Sequence, residues 1–261
     1  MAGEVKYLLR SVLLGASLTA SSTVSGLNAT HSIDTRIRKV YRARGRNTEW
    51  VRYDVSGGAT SIDTVFVGNH NFSKTATVLW QGSVTATFSN APTLNVTMVV
   101  ATDSLGTVIP KLAAFLSAAT TYPHFRLFVS DEANADQKVE VGYVAAGLAT
   151  TPTRVPRQGF RRRVIDPSVG QMTAGNQAYW KIRQQYEEIT YSVVDLQESD
   201  QDEILGIYHA VGVHTPLVFA LDPDDRPHHN TFYCQFMNPL GMTHRLLRNM
   251  NMDAVTLREL V

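Results

Sequence analysis

"HFRLFVSDEANADQKVEVGYVAAG", His124 to Gly147, is the stretch on which the fold turns. Two runs of alternating apolar residues flank an acidic hexamer, Asp131-Glu132-Ala133-Asn134-Ala135-Asp136. Alternation with a period of two is the pattern of a strand with one face on a core. The hexamer between the runs has three readings: a metal loop, a pair of catalytic carboxylates, or a turn. A helix-flanked calcium loop needs oxygen ligands at alternate positions, a central glycine and a closing glutamate. Asp131 and Asp136 stand five apart with no glycine between them, and the flanks are strands. Asp and Asn side chains bond to nearby backbone and are ordinary turn formers. The stretch therefore predicts two strands joined by a hairpin loop.

The same period extends back along the chain. "TVFVGNHN" (64–71), "TATVLWQG" (75–82), "SVTATFS" (83–89), "TLNVTMVVA" (93–101) and "FRLFVS" (125–130) are rich in Val, Thr and Phe and are bounded by Gly, Asn, Asp or Pro. Strands so spaced predict a sandwich or jelly roll. "IPKLAAFLSAA" (109–119) predicts a helix, with Leu112, Phe115 and Leu116 on one face. "ATTPTRVPRQGFRRR" (149–163) holds two prolines, a glycine and five arginines. Pro and Gly break both regular structures, so the domain boundary is expected there.

Beyond it, "AYWKIRQQYEEITYSVVDL" (178–196), "PLVFALDP" (216–223), "TFYCQFM" (231–237) and "MDAVTLRELV" (252–261) read as strands. One helix is expected near 199–211. Ser199 is its predicted cap, Asp200, Asp202 and Glu203 suit its dipole, and Gly212 is its stop. Ile204, Leu205, Tyr208 and Val211 form its apolar stripe. The expected fold class is mainly β: an N-terminal jelly-roll β-sandwich over 1–150, a linker over 151–163, and a C-terminal β domain with one helix over 164–261.

Composition narrows the function. The chain has 261 residues and a formal net charge of +1, which gives no global reason for nucleic-acid binding. Its one cysteine, Cys234 in "FYCQF", can make neither an intrachain disulfide nor a cysteine cluster and reads as a buried small hydrophobe. "KYLLRSVLLGASLTASS" has the outline of a secretory signal, but its apolar run soon dissolves into Ser and Thr. No stretch approaches the roughly 20 apolar residues of a membrane span.

"LDPDDRPHH" (221–229) gathers carboxylates and imidazoles, yet adjacent histidines on a strand point to opposite faces, and the prolines make it a polar loop. Arg36, Arg38, Lys39, Arg42, Arg44 and Arg46 could bind phosphates but lack an interleaved aromatic platform. They are expected to be solvated or salt-bridged. No phosphate loop, dinucleotide fingerprint, nucleophile elbow or zinc-protease motif occurs. No cofactor and no metal site are expected.

Two resemblances follow from these residues. "LTASSTVSGLNATHSIDT", "NTEWVRYDVSG", "IDTVFVGNHNFS" and the closing "FRLFVSDEANADQKVEVGYVAAG" resemble the galactose-binding-like (discoidin-like) jelly rolls found in phage tail proteins. "AYWKIRQQYEEITYSVVDLQESDQDEILGIYHAVGVHTPLVFALDPDD" resembles the tail-tube type of domain in phage minor tail proteins. Together the halves resemble a tail-tip structural protein of a long-tailed bacteriophage, akin to distal tail proteins but with the two domains in the reverse order.

The resemblance implies a non-enzymatic virion component of the tail or baseplate, assembled in the host cytoplasm. Its implied partners are itself, in a ring that is hexameric in that family, and other tail proteins such as tube and hub. No sequence-specific nucleic acid is among them. The alternative is a module that binds a carbohydrate on the host surface. An enzyme acting on cell-wall glycan would need two carboxylates flanking a cleft, whereas the acidic residues fall mainly in predicted turns. The expected subunit contacts are Arg161, Arg162 and Arg163 from one copy, with Asp202, Glu203 and His209 on the exposed side of the helix.

Overall fold

The computed structural model describes residues 5–88, 92–153, 160–173, 175–246 and 249–261. In chain order the strands of the first part are β1 (Lys6–Leu8), β2 (Ser17–Ala20), β3 (Tyr41–Arg42), β4 (Glu49–Asp54), β5 (Thr60–His70), β6 (Thr77–Ser83), β7 (Leu94–Met98), β8 (Lys111–Tyr122), β9 (His124–Ser130) and β10 (Glu140–Gly147). Then follow β11 (Arg161–Ile165), β12 (Val169–Met172), β13 (Ala178–Lys181), β14 (Tyr186–Leu196), helix α1 (Glu198–Val211), β15 (Leu217–Ala220), the one-turn helix α2 (Pro227–Asn230), β16 (Thr231–Phe236), β17 (Met242–Leu246) and β18 (Asn249–Glu259). The chain is mainly β, as its periodicity predicts.

The chain divides into two units, Met1–Thr151 with Val218–Thr231, and Pro152–Leu217 with Phe232–Val261. In the first, two antiparallel sheets, β3-β10-β5-β8 and β2-β4-β9-β6-β7, form a sandwich of jelly-roll type. Alternate residues of each strand point inward. Val51, Tyr53, Val78, Trp80, Phe125 and Leu127 of one sheet meet Val65, Val67, Leu112 and Val144 of the other in a single buried cluster. Trp80 stands at its centre, 5.7 Å from the ring of Phe125 and 5.8 Å from that of Tyr53.

Four sequence expectations change here. The acidic hexamer does not turn a hairpin. β9 pairs with β4 and β6, whereas β10 pairs with β3 and β5, so residues 131–139 carry the chain from one sheet to the other. Alternation marks strands but is silent about which strands pair. Asp131 and Asn134 are buried within the crossing. The Asp131 carboxylate accepts from the Ser73 N–H (2.8 Å) and from the Asn134 amide (3.1 Å).

Second, residues 109–119 are not helical. Residues 111–119 lie in β8, which pairs with β5 from Lys111↔Gly68 to Tyr122↔Thr60. Pairing with the interior strand β5 outweighs the helical propensity of an Ala-rich run. Third, the strand expected over 83–89 ends at Ser83, and residues 84–88 form a loop; Ser89 lies outside the described residues.

Fourth, Val218–Thr231, expected in the second domain, belongs to the first unit. β15 pairs with β1 there (Lys6↔Ala220, Tyr7↔Phe219, Leu8↔Val218). The signal-like N-terminal stretch thus contains a paired strand, and its Leu13 is fully buried. Residues 154–159 of the expected linker lie outside the described residues.

In the second unit the sheet order is β16-β18-β14-β11, with β17 paired to β18. Cys234 is buried in β16. Helix α1 begins two residues earlier than Ser199 would place it. Gln197 is its cap, and the Asp200 carboxylate accepts from the Gln197 N–H (3.0 Å), closing a capping box. It ends at Gly212 (φ 54), as expected, a backbone angle that side chains disfavour. Its buried positions are Asp200, Ile207 and Val211, so the stripe sits further round the helix than Ile204, Leu205 and Tyr208 would put it. β12 and β13 pair only with each other, in a hairpin whose described residues are all exposed.

Candidate functional site

Strand geometry builds the site. In β4 and β9 the residues facing away from the core are Trp50, Arg52 and Asp54, and His124, Arg126, Phe128 and Ser130. Antiparallel register lines these up in rows across the sheet. One row reads Thr19, Arg52, Arg126, Gln81, Asn95 over five strands. The row beside it reads Trp50, Phe128, Leu79, Thr97. A third, on the other side, reads Ser17, Asp54, His124, Ser83. The outer face therefore carries a charged row between an aromatic row and a His-Asp row, each fixed by backbone pairing rather than by loop conformation.

The polar rows are tied together. Arg52 donates through Nε and Nη2 to the Asp54 carboxylate (3.1 and 2.9 Å), and through Nη1 to the Ala86 carbonyl (2.8 Å). Asp54 also faces His124 Nδ1 at 2.6 Å. A carboxylate can only accept, so Nδ1 carries a proton, and in the neutral ring Nε2 is the acceptor. Arg126 donates Nε to Gln81 (2.8 Å), and Gln81 donates to Asn95 (3.2 Å).

The guanidinium of Arg126 sits 4.4 Å from the ring of Phe88 and 5.8 Å from that of Phe128. Partial burial lowers its pKa, yet a guanidinium stays charged. Its two terminal nitrogens and the Asn95 amide N–H groups have no hydrogen-bond partner among the described residues. The loop 84–88, expected as a strand, is the wall of this site: Ala86 caps Arg52, and Phe88 is buried over Arg126.

Sequence reasoning missed this face. Its signal was present in the polar positions of "WVRYD" and "HFRLFVS", but the pairing that places Arg52 beside Arg126 is a long-range fact.

The residues singled out from sequence lie elsewhere. Arg161, Arg162 and Arg163 are in β11, at the end of the second unit's sheet, and not in an irregular linker. Alternation separates them. Arg162 is ion-paired with Glu187 (Nη2–Oε1 2.8 Å) and lies 5.1 Å from the Phe232 ring, while Arg161 and Arg163 point the other way, exposed. Asp202 and His209 are exposed on α1, and Glu203 accepts from the Thr153 N–H (3.0 Å).

In the basic segment 36–46, Asp34 binds Arg36 (2.7 Å) and Lys39 (3.1 Å), Arg42 pairs with Glu140, and Arg44 donates to the Thr23 carbonyl (2.8 Å). Those cations are engaged within the chain. In "LDPDDRPHH", Asp222 accepts from the N–H groups of Asp224 and Asp225, and the histidines lie on α2. Among the described residues, no group of three or more His, Cys, Asp or Glu could hold a metal ion.

No family model matches the chain, and no curated protein matches it. Solved structures similar to about half of the chain include the CBM32 of AlyQ in complex with 4,5-unsaturated mannuronic acid (21% identity, TM-score 0.35, 50% of this chain and 92% of that one). A chitosan-binding module 2 with chitotriose, from a Paenibacillus sp. IK-5 chitosanase/glucanase, is 17% identical (TM-score 0.39, covering 52% and 98%). The family 32 CBM of C. perfringens NanJ with galactose is 9% identical (TM-score 0.38, covering 54% and 98%). At these identities and superposition scores the likeness says nothing of what the sheet face binds.

Proposed function

We propose that the outer face of the five-stranded sheet binds a carbohydrate, and that the chain is a binding protein with no reaction of its own. The observation that carries this is the adjacency of the two rows. A sugar ring has an apolar C–H face and an edge of hydroxyls. Trp50, Phe128 and Leu79 offer half-buried apolar surface to the first. The terminal nitrogens of Arg126, the Asn95 amide and His124 Nε2 offer donors and an acceptor to the second. A mostly apolar floor with a few fixed polar groups is the usual make-up of a small-ligand site. The Arg52–Asp54–His124 and Arg126–Gln81–Asn95 ties hold those groups in place before a ligand arrives, which lowers the ordering cost of binding. The test is a glycan array probed with the full chain and with Trp50→Ala. Retention of a defined glycan by the parent and its loss in the variant supports the reading; an array blank for the parent sinks it.

A second reading is favoured by the exposed hairpin β12–β13: the chain is a structural subunit of a bacteriophage tail that assembles with copies of itself and docks other tail proteins. An exposed apolar strand pair is costly in a lone monomer and ordinary at an interface. Sedimentation of the purified full chain over a range of concentrations tests this reading; a monomer throughout would exclude it.

A further inference from the structure

The hairpin β12–β13 has two unlike faces. Residues opposite each other in an antiparallel pair share a face. Met172 stands opposite Ala178 and Gly170 opposite Trp180, so these four form one side, which is wholly apolar. Gln171 opposite Tyr179 and Val169 opposite Lys181 form the other, which is mixed. The indole of Trp180 lies across Gly170, where a Cβ would come within 2.8 Å of the ring, so glycine there lets the indole lie flat on the strand pair. Even so Trp180 is 66% exposed and Met172 69%, and Ile182, just after β13, is 85% exposed.

A two-stranded ribbon is marginal alone in water. A sided ribbon with an aromatic on its apolar face is built to lie against something. Its charges say what. Arg161 and Arg163 at its root, Lys181 on it and Arg183 just beyond are exposed and make no ion pair among the described residues. On the same chain, Glu198 and Asp202 are exposed along α1 and likewise make no ion pair among the described residues. The arm is basic and the helix acidic, on a chain whose net charge is only +1.

We infer that the β12–β13 hairpin is an assembly arm that lays its apolar face on a second copy of this chain beside helix α1 of that copy, with the cations at its root meeting Glu198 and Asp202. The inference rests on the assembly reading above and specifies its surface. Arm and helix are different patches, so the contact is head-to-tail, and it closes into a ring wherever the rotation between copies permits. The apolar face supplies the affinity and the charges set register and partner choice. Of the contacts expected from sequence, Arg161, Arg163 and Asp202 take part; Arg162 and Glu203 are held within their own unit.

Sedimentation velocity of the full chain tests this with three variants. Met172→Ser with Trp180→Ser and Ile182→Ser should weaken association about thirtyfold or more, the loss expected of an interface anchor. Its thermal melt should match the parent when both are diluted to monomer, since these side chains touch no core. Reversal of the arm charges (Arg161→Glu, Arg163→Glu, Lys181→Glu, Arg183→Glu) should weaken association, and so should reversal on the helix (Glu198→Lys, Asp202→Lys). Mixing the two reversed proteins should restore it. Unchanged association of the serine variant, or no rescue on mixing, would overturn the arm while leaving self-assembly intact. A parent that stays monomeric at every concentration would remove both.

Discussion

The outer face of the β4–β9 sheet and the β12–β13 hairpin are both strand surfaces bearing a tryptophan, and they treat it differently. Trp50 is half-buried in a row with Phe128 and Leu79, next to arginines already anchored by hydrogen bonds within the sheet, Arg52 to Asp54 and Arg126 through Nε to Gln81. Trp180 lies on a ribbon with no hydrophobic layer behind it among the described residues. The first surface is prepared in the folded chain, and what it lacks is small: partners for a few donors and an acceptor on a rigid floor. The second is unprepared, and what it lacks is a whole layer of packing. A face of the first kind suits a small polar ligand; one of the second kind suits protein. Rigidity comes from the sandwich core beneath the first, and nothing comparable lies beneath the second.

Perturbing the two regions separately tests that contrast. The largest effect is expected from Trp80→Ala, directly under the sheet face. Removing this fully buried ring from between Tyr53 and Phe125 should cost the first unit about 3–5 kcal/mol in denaturant unfolding. A cost near zero would mean that the core does not support the face as described.

Arg126→Ala should come next. It removes the guanidinium beside Phe88 and Phe128 and should weaken glycan binding about tenfold to hundredfold, as loss of a charged hydrogen-bonding group does. Titration calorimetry with the glycan found on the array reads it, and Trp180→Ala should leave that affinity unchanged. If the hairpin variant loses glycan affinity as well, the two surfaces are not independent.

Acid should also separate the units. His70 on β5 is buried, accepts through Nδ1 from the Phe72 N–H (3.2 Å), and stacks on Phe72. Burial, with the nearby His228, pushes its pKa down from 6.5 to about 3. Between those values only the unfolded chain takes the proton. The stability His70 allows is therefore complete above pH 6.5 and falls as pH drops toward 3, by about 1.4 kcal/mol per pH unit at its steepest. His228, whose pKa is lowered by burial and by His229, adds a loss of the same sign. Thermal melts from pH 7 to about pH 5 should show the first unit losing about 2 kcal/mol through His70. His70→Asn, whose side-chain oxygen can accept in place of Nδ1, should flatten most of that slope. A slope that is the same in the variant would place the titration elsewhere.

The smallest effect belongs to the hairpin. Trp180→Ala should change the stability of the monomer by no more than about 0.5 kcal/mol, because the ring is largely in water. A larger loss in dilute solution would show that the ribbon has packing of its own and would close the gap between the two regions.

Much of this was legible in the sequence for a local reason. Period-two runs identify strands because a strand half on a core must alternate, and most of the expected strands stand within a few residues of their bounds. Helix α1 was legible from its acidic first turn and Gly212, since both act through the helix's own backbone ends. The exposed hairpin was half legible: "AYWK" read as a strand, with no sign that the indole would find no core.

What only tertiary structure decided is what depends on distant partners. Residues 111–119 are a strand because β5 lies beside them, and the acidic hexamer crosses between sheets because β10 pairs with β5 rather than with β9. Val218–Thr231 belongs with the first unit because β1 is there to pair with β15. The site itself is a product of register: Arg52, Arg126, Gln81 and Asn95 become one row only when four strands from separate parts of the chain align. Local sequence sets the period of a strand through the geometry of a single residue. Which strand lies beside it is set by the burial and hydrogen bonding of the whole sheet, and no short window of sequence contains that information.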